Sequence, residues 1–248
     1  MKTTAQRWYI KFLQWKTQYL THRQFILLLC ALVGVATGFA ALAMRSLTHF
    51  IEKVLVGNII RYINYGFYVV FPAVGFLLVY LVKKYVIRKE VSHGIPSILY
   101  AVAKQKGIMK RFQAYGSLLT APITIGFGGS VGLEGPMVVT GAGISSQIAR
   151  LFHINQSDRM LLLACASAAA LAAIFKVPLA GILFAIEVFG LDLTLWSLLP
   201  LFVASLSGVL ISYLFFGNAA LLPIQVSGSF LMRNIPFYLL LGVVGGFM

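Results

Sequence analysis

Apolar residues run through this chain in long, nearly charge-free stretches separated by short basic segments. Phe25–Met44 carries no charge until its end and is long enough to cross a bilayer core, for which about 20 residues suffice. Tyr65–Val82 is a second such stretch. Phe112–Ala149 is a third apolar region, interrupted by Glu134 and by many glycines. Met160–Phe175, Val177–Phe189 and Leu193–Met232 follow, the last too long for one span. Ile235–Phe247 is apolar and still open at Met248, so the chain is expected to be part of a longer protein.

The grammar changes after the second stretch. Ser97–Ala103 is too short to cross a membrane, and glycine or proline interrupts nearly every later segment. Short, broken helices at membrane depth are tolerated only where they line a cavity or are buried in protein. In transporters they point to the binding site. The first 23 residues differ again: Trp8, Tyr9, Phe12, Trp15 and Tyr19 alternate with basic residues, as in an amphipathic helix lying on a membrane surface. Composition agrees with the pattern. Of 248 residues 60% are hydrophobic and 10% charged, against about 25% charged in soluble domains. The fold class expected is all-α, a polytopic membrane protein with broken and re-entrant helices.

A net charge of +14 suggests nucleic acid at first sight. The distribution argues otherwise. The basic residues gather in Lys2–Arg23, Lys83–Lys89 and Lys104–Arg111, the positive-inside pattern of cytoplasmic segments. This sets the N-terminus in the cytoplasm, Arg45–Arg61 outside and Lys83–Lys89 inside again, with the lipid bilayer as partner and no nucleic acid. Cys30 and Cys165 lie singly in apolar stretches and read as small core residues. His22, His49, His93 and His153 show no ligand spacing, so neither a metal nor another cofactor is expected. Ala41-Leu42-Ala43 resembles a signal-peptidase site, but the apolar stretch before it is too long for a signal sequence and reads as a retained anchor.

Glu134 carries the most chemistry. It is a lone carboxylate whose nearest charged neighbours in sequence are Arg111 and Arg150. Such a group in lipid must face protein, water or an ion. It stands in Gly128-Gly129-Ser130-Val131-Gly132-Leu133-Glu134-Gly135-Pro136, where glycines break the chain and a proline opens a helix. The first amides of a helix attract anions. A proton-binding acid beside such amides suggests an anion pathway controlled by protonation. Ser92-His93-Gly94-Ile95-Pro96 repeats the pattern, and Lys176-Val177-Pro178 opens a third helix that Glu187 closes.

These three segments resemble the CLC family of chloride channels and chloride/proton exchangers. Gly94-Ile95-Pro96 is similar to the end of that family's Gly-Ser-Gly-Ile-Pro motif, and Gly132-Leu133-Glu134-Gly135-Pro136 to its Gly-Arg/Lys-Glu-Gly-Pro motif. Pro178-Leu179-Ala180-Gly181-Ile182-Leu183-Phe184 with Glu187 resembles its next signature. The likeness runs from about Phe25 to the end and implies the first of two inverted repeats. Residues 1–23 would be the cytoplasmic amphipathic helix, 24–234 the first repeat, and 235–248 the start of the second. It further implies that Glu134 is the gate, occupying an outer anion site when ionised and swinging away when protonated. Ser92, His93, Gly94, Ile95, Leu133, Glu134 and Gly135 would contribute to anion binding, with chloride the transported ligand rather than a cofactor. A homodimer is implied, with Pro178–Glu187 and the stretch near Leu199–Gly217 in its interface.

Three departures shape the expectation. Leu133 stands where the family has Arg or Lys, and His93 where it has the serine that binds the central anion, so nitrate or fluoride selectivity competes with chloride. Val188 stands where exchangers commonly carry an internal acid, and valine cannot relay protons. The expectation is therefore a passive voltage- or pH-gated chloride channel, not an enzyme, with chloride/proton antiport as the alternative. Gly128-Gly129-Ser130-Val131-Gly132 also fits a hydrolase nucleophile pattern, but no histidine follows Ser130 in an apolar stretch. Lone glycine motifs are common in membrane helices and carry little weight. A third reading is a non-transporting half, which requires Met248 to be the true end of the protein.

Overall fold

A computed structural model describes residues 21–55, 70–89, 94–217 and 232–247. The described residues are helical, with no strand among them. The amphipathic segment expected over the first 20 residues, Ser92 and His93 all lie outside this set. The chain divides into two compact units, Met1–Asn218 and Ala219–Met248.

Helix α1, His22–Val54, opens on a capping box in which the Thr21 amide donates to Gln24 Oε1 at 3.1 Å. Its 33 residues give about 50 Å of helix, more than the roughly 30 Å of a bilayer core. The expected span ended at Met44 with Arg45 starting an outer segment. Instead the helix continues for ten residues and Arg45 is only 6% exposed. Its guanidinium lies 4.6 Å from the centre of the Phe216 ring, an aromatic face that lets the cation stay within the bundle. Helix α2, Val70–Leu81, runs on through a π-helical turn, Val82–Ile87, and stops where Arg88 adopts a left-handed conformation. The stop is held by the Arg88 amide on the Lys83 carbonyl at 2.8 Å.

Helix α3, Ile95–Lys104, and α4, Arg111–Gly126, lead to α5, Glu134–Leu151. The expected apolar region Phe112–Ala149 is thus two helices separated by a glycine-rich loop. Helix α6, Gln156–Phe175, starts on Asn155, whose side chain accepts from the Asp158 amide at 2.8 Å. Helix α7, Pro178–Phe189, is only 12 residues long. Helix α8, Leu195–Phe216, occupies part of the overlong stretch as one span. In the second unit a 3₁₀ turn, Met232–Asn234, precedes α9, Ile235–Phe247. Among the described residues α1, α2 with its π turn, α6 and α8 are long and apolar enough to cross a membrane.

Alanine-rich α6 forms the centre of the first unit, with Ala164, Ala166 and Ala168–Ala170 fully buried. Small residues on its neighbours allow backbone to approach backbone. A methyl placed on Gly141 of α5 would lie 3.0 Å from the Ala166 carbonyl oxygen, and one on Gly208 of α8 would lie 2.9 Å from that of Ala169. Gly181 of α7 meets the Ala168 carbonyl more closely still, and Gly34 of α1 does the same against Ala204 of α8. Without a hydrophobic drive between helices in lipid, such close packing is what holds them together. Thr140 of α5 adds a hydroxyl donated to the Ala114 carbonyl at 3.1 Å and to that of Pro136 at 2.9 Å.

Candidate functional site

Two helices begin inside the bundle, and their first residues meet. Gly94 caps α3 with φ 83°, a left-handed value suited to glycine, and Pro96 occupies the first turn. The Ser97 amide and hydroxyl both donate to the Gly94 carbonyl, at 3.2 and 2.8 Å. The Ile95 amide is then the one donor of this turn with no partner inside the helix. Helix α5 starts the same way: Leu133 is its cap, Pro136 lacks a donor, and the Met137 amide closes the first turn on the Leu133 carbonyl at 3.0 Å. The Glu134 and Gly135 amides stay outside the helical ladder. A methyl on Gly135 would come 3.7 Å from the Gly94 Cα, so the two starts lie about one methyl group apart.

The loop between α4 and α5 aims Glu134 at this junction. The Gly128 amide donates to the Ile125 carbonyl at 2.8 Å, and the Gly129 amide to that of Thr124 at 2.9 Å. Gly129 packs so tightly on Thr124 that a methyl there would sit 2.7 Å from its carbonyl oxygen. After this fold-back the Glu134 carboxylate lies directly over Gly132, in space that any Cβ at that position would take. A cleft of about 520 Å³ opens at the junction, lined by Gly94, Gly132, Glu134 and Gly135, with Thr120 and Thr124 of α4 and Phe76 and Val79 of α2 as walls. Glu134 is exposed to it. The ion pairs found among the described residues, His22–Asp158 and His49–Glu52, are elsewhere.

Of the expected anion-binding residues, Gly94, Ile95, Leu133, Glu134 and Gly135 are brought to one place. Ser92 and His93 lie outside the described residues. Leu133 contributes backbone only, since its side chain is buried at 9% exposure. Thr120 and Thr124 were not singled out from sequence. Their spacing of four residues within an apolar stretch, which puts two hydroxyls on one helix face, was the available signal. Their hydroxyls donate backwards to the Gly116 and Thr120 carbonyls at 2.9 and 3.1 Å, which commits both protons within the helix. Ser130 is exposed, while His22 pairs with Asp158 and His49 with Glu52.

The sequence motifs pointed to a known family, and comparison with known proteins supports that family. Residues 74–248 match the family model described as voltage gated chloride channel. This chain belongs to that family. It is 28% identical over 230 residues to the H⁺/Cl⁻ exchange transporter ClcA of Citrobacter koseri, and 26% identical over 230 residues to ClcA of Salmonella arizonae. Each alignment covers 89% of this chain and 48% of the relative, so the chain spans about half the length of the curated relatives it matches. Among solved structures, a CLC-type fluoride/proton antiporter superposes with TM-score 0.68 at 20% identity, covering 92% of this chain and 56% of the other. A eukaryotic CLC transporter gives 0.68 at 22% identity, covering 89% and 42%. These last two likenesses establish the fold.

Proposed function

We propose that this chain supplies half of the pathway of a chloride transporter coupled to protons, with Glu134 as the gate. The observation that carries the reading is the Glu134 carboxylate over Gly132, beside the amides of two helix starts that approach each other at Gly94 and Gly135. Ionised, the carboxylate competes with an anion for those amides. Protonated, it loses that advantage and yields the place. One group thus links proton and anion occupancy. The relatives support coupling rather than the passive channel expected from Val188, because ClcA is named an H⁺/Cl⁻ exchange transporter. Val188 is half-buried on α7, and it is the observation that favours a second reading, a passive channel with the same gate.

Orientation follows from charge. His22 bonds to Asp158 at 2.9 Å and Arg23 lies 3.3 Å from the centre of the Trp196 ring, so the starts of α1, α6 and α8 share one end of the bundle. Arg159 donates to the Lys106 carbonyl and Arg150 to that of Met109, bringing the basic loop between α3 and α4 to that same end. The excess of cations there supports a cytoplasmic N-terminus. Leu179 and Leu183 on α7, with Leu199, Phe202, Leu206 and Leu210 on α8, present exposed apolar surface. This supports a homodimer built on these two helices.

The test is proton movement in liposomes containing the full-length protein. An imposed chloride gradient should drive protons uphill, and Glu134→Gln should abolish both that movement and the pH dependence of flux. Chloride flux without proton movement overturns coupling and leaves the channel reading. An unchanged flux–pH curve in Glu134→Gln removes Glu134 as the gate in either reading.

A further inference from the structure

The basic end of α2 does more than satisfy a topology rule. Two clefts meet there and share Lys89. One, about 480 Å³, is lined by Tyr80, Lys83, Lys84, Arg88 and Lys89. The other, about 700 Å³, runs from Lys89 past Tyr100 to Lys110 and Phe112, with Pro96 and Ser97 at the base of α3. No acidic residue lines either cleft among the described residues. The cations are largely solvent-exposed, but several stand beside aromatic rings. The Lys89 and Lys110 amines stand 5.4 and 5.9 Å from the centre of the same Phe112 ring, one brought by the end of α2 and the other by the cap of α4. The Lys84 amine likewise stands 5.6 and 5.7 Å from the rings of Tyr80 and Tyr85. Both tyrosines are exposed, at 59% and 61%, where the apolar helix ends. Exposed tyrosine at the end of a span marks the headgroup level of the bilayer.

We infer that these joined clefts bind the headgroup of an anionic membrane lipid carrying two or more phosphates. A solvated basic face attracts any anion in proportion to its charge. Here aromatic rings hold separate amines at the rim of a concave surface, which favours a headgroup with phosphates spaced to reach both Lys89 and Lys84. The depth fixes the source: the rings and amines lie at the level where a lipid phosphate sits, with the apolar face of α2 beside them for acyl chains. This assignment is independent of the transport reading and concerns a surface on the other side of Pro96 and Ser97 from Glu134.

Binding of the detergent-purified full-length protein to phosphatidylcholine vesicles tests it. One set of vesicles contains phosphatidylinositol bisphosphate, and a second contains phosphatidylserine at equal total charge. Tighter binding to the bisphosphate vesicles is expected. Each of Lys89→Gln and Lys110→Gln should weaken it about fivefold, and the pair roughly thirtyfold, from the usual contribution of one basic side chain at an anionic surface. Lys53→Gln, at the opposite end of α1, should leave binding unchanged. Circular dichroism and thermal melting of each variant verify that the fold persists, and Lys89→Arg should restore binding. Equal binding to both vesicles, or equal loss in Lys53→Gln, reduces the surface to a general basic face and overturns the inference. Displacement by soluble inositol trisphosphate as effective as by the lipid overturns the membrane source.

Discussion

Replacing Gly132 by alanine isolates the gate from everything else in the structure. A methyl at Gly132 would overlap one oxygen of the Glu134 carboxylate, and its next neighbours, at 2.8 and 3.2 Å, are the carboxyl carbon and the other oxygen of that same side chain. All three nearest atoms belong to that one flexible side chain, so rotation of Glu134 is the first relief. Overpacking of this kind costs about 1–3 kcal/mol. Applied to the equilibrium between the inward and swung-away carboxylate, that is a shift of about fivefold to 150-fold toward the open arrangement. Gly132→Ala should therefore raise anion efflux from proteoliposomes at neutral and alkaline pH toward the level the native protein reaches on acidification. Glu134→Gln added to Gly132→Ala should change nothing further, because both act on one equilibrium. A native flux–pH curve in Gly132→Ala, with unchanged melting temperature, would refute the proposed role of the carboxylate over Gly132.

Three other substitutions probe separate parts of the molecule. His93→Ser should alter the order of chloride, nitrate and fluoride permeation, measured as reversal potentials or relative efflux rates; a constant order shows that His93 does not face the ion. Asn155→Ala removes the bond to the Asp158 amide and should lower stability by about 0.5–2 kcal/mol, read by thermal unfolding, with little effect on selectivity. Gly181→Val forces the α7 crossing away from the Ala168 carbonyl and should cost at least the roughly 1–3 kcal/mol of ordinary overpacking, since backbone rather than a side chain must give way.

The helices themselves were largely legible. Met160–Phe175 grew only by the turn that Asn155 caps, and Asn155 followed by Asp158 is a readable start signal. Val177–Phe189 became Pro178–Phe189 because Lys176 takes a left-handed conformation before the proline. The first span ends early in sequence for a physical reason: Arg45 and His49 look like the end of a membrane helix, and the Phe216 ring beside Arg45 lies 171 residues downstream of it. The site divides in the same way. Glycine–proline breaks and an isolated acid are local, so Gly94, Ile95 and Leu133–Gly135 could be found along the chain. Thr120, Thr124, Phe76 and the place of the carboxylate over Gly132 depend on contacts between elements, and no local pattern specifies them.

The packing around α6 explains how so irregular a site is held in position. The start of α5 is a helix end without a side-chain cap, carrying an acid and two amides outside the helical ladder. Its axis is set farther along, where Thr140 bonds to the Ala114 carbonyl, Gly141 lies against Ala166 and Thr37, and Gly143 meets Ala114. Those contacts join α5 to α4, α6 and α1 at backbone distance. A helix clamped in its second and third turns projects its first turn as a fixed beam, so Glu134 can change rotamer without its amides moving. The proposed gate requires that separation: a stationary backbone holding the anion and one acid free to move. Small residues on α5 lie along the clamp at Gly141 and Gly143, while Gly132 clears the space that the Glu134 carboxylate occupies.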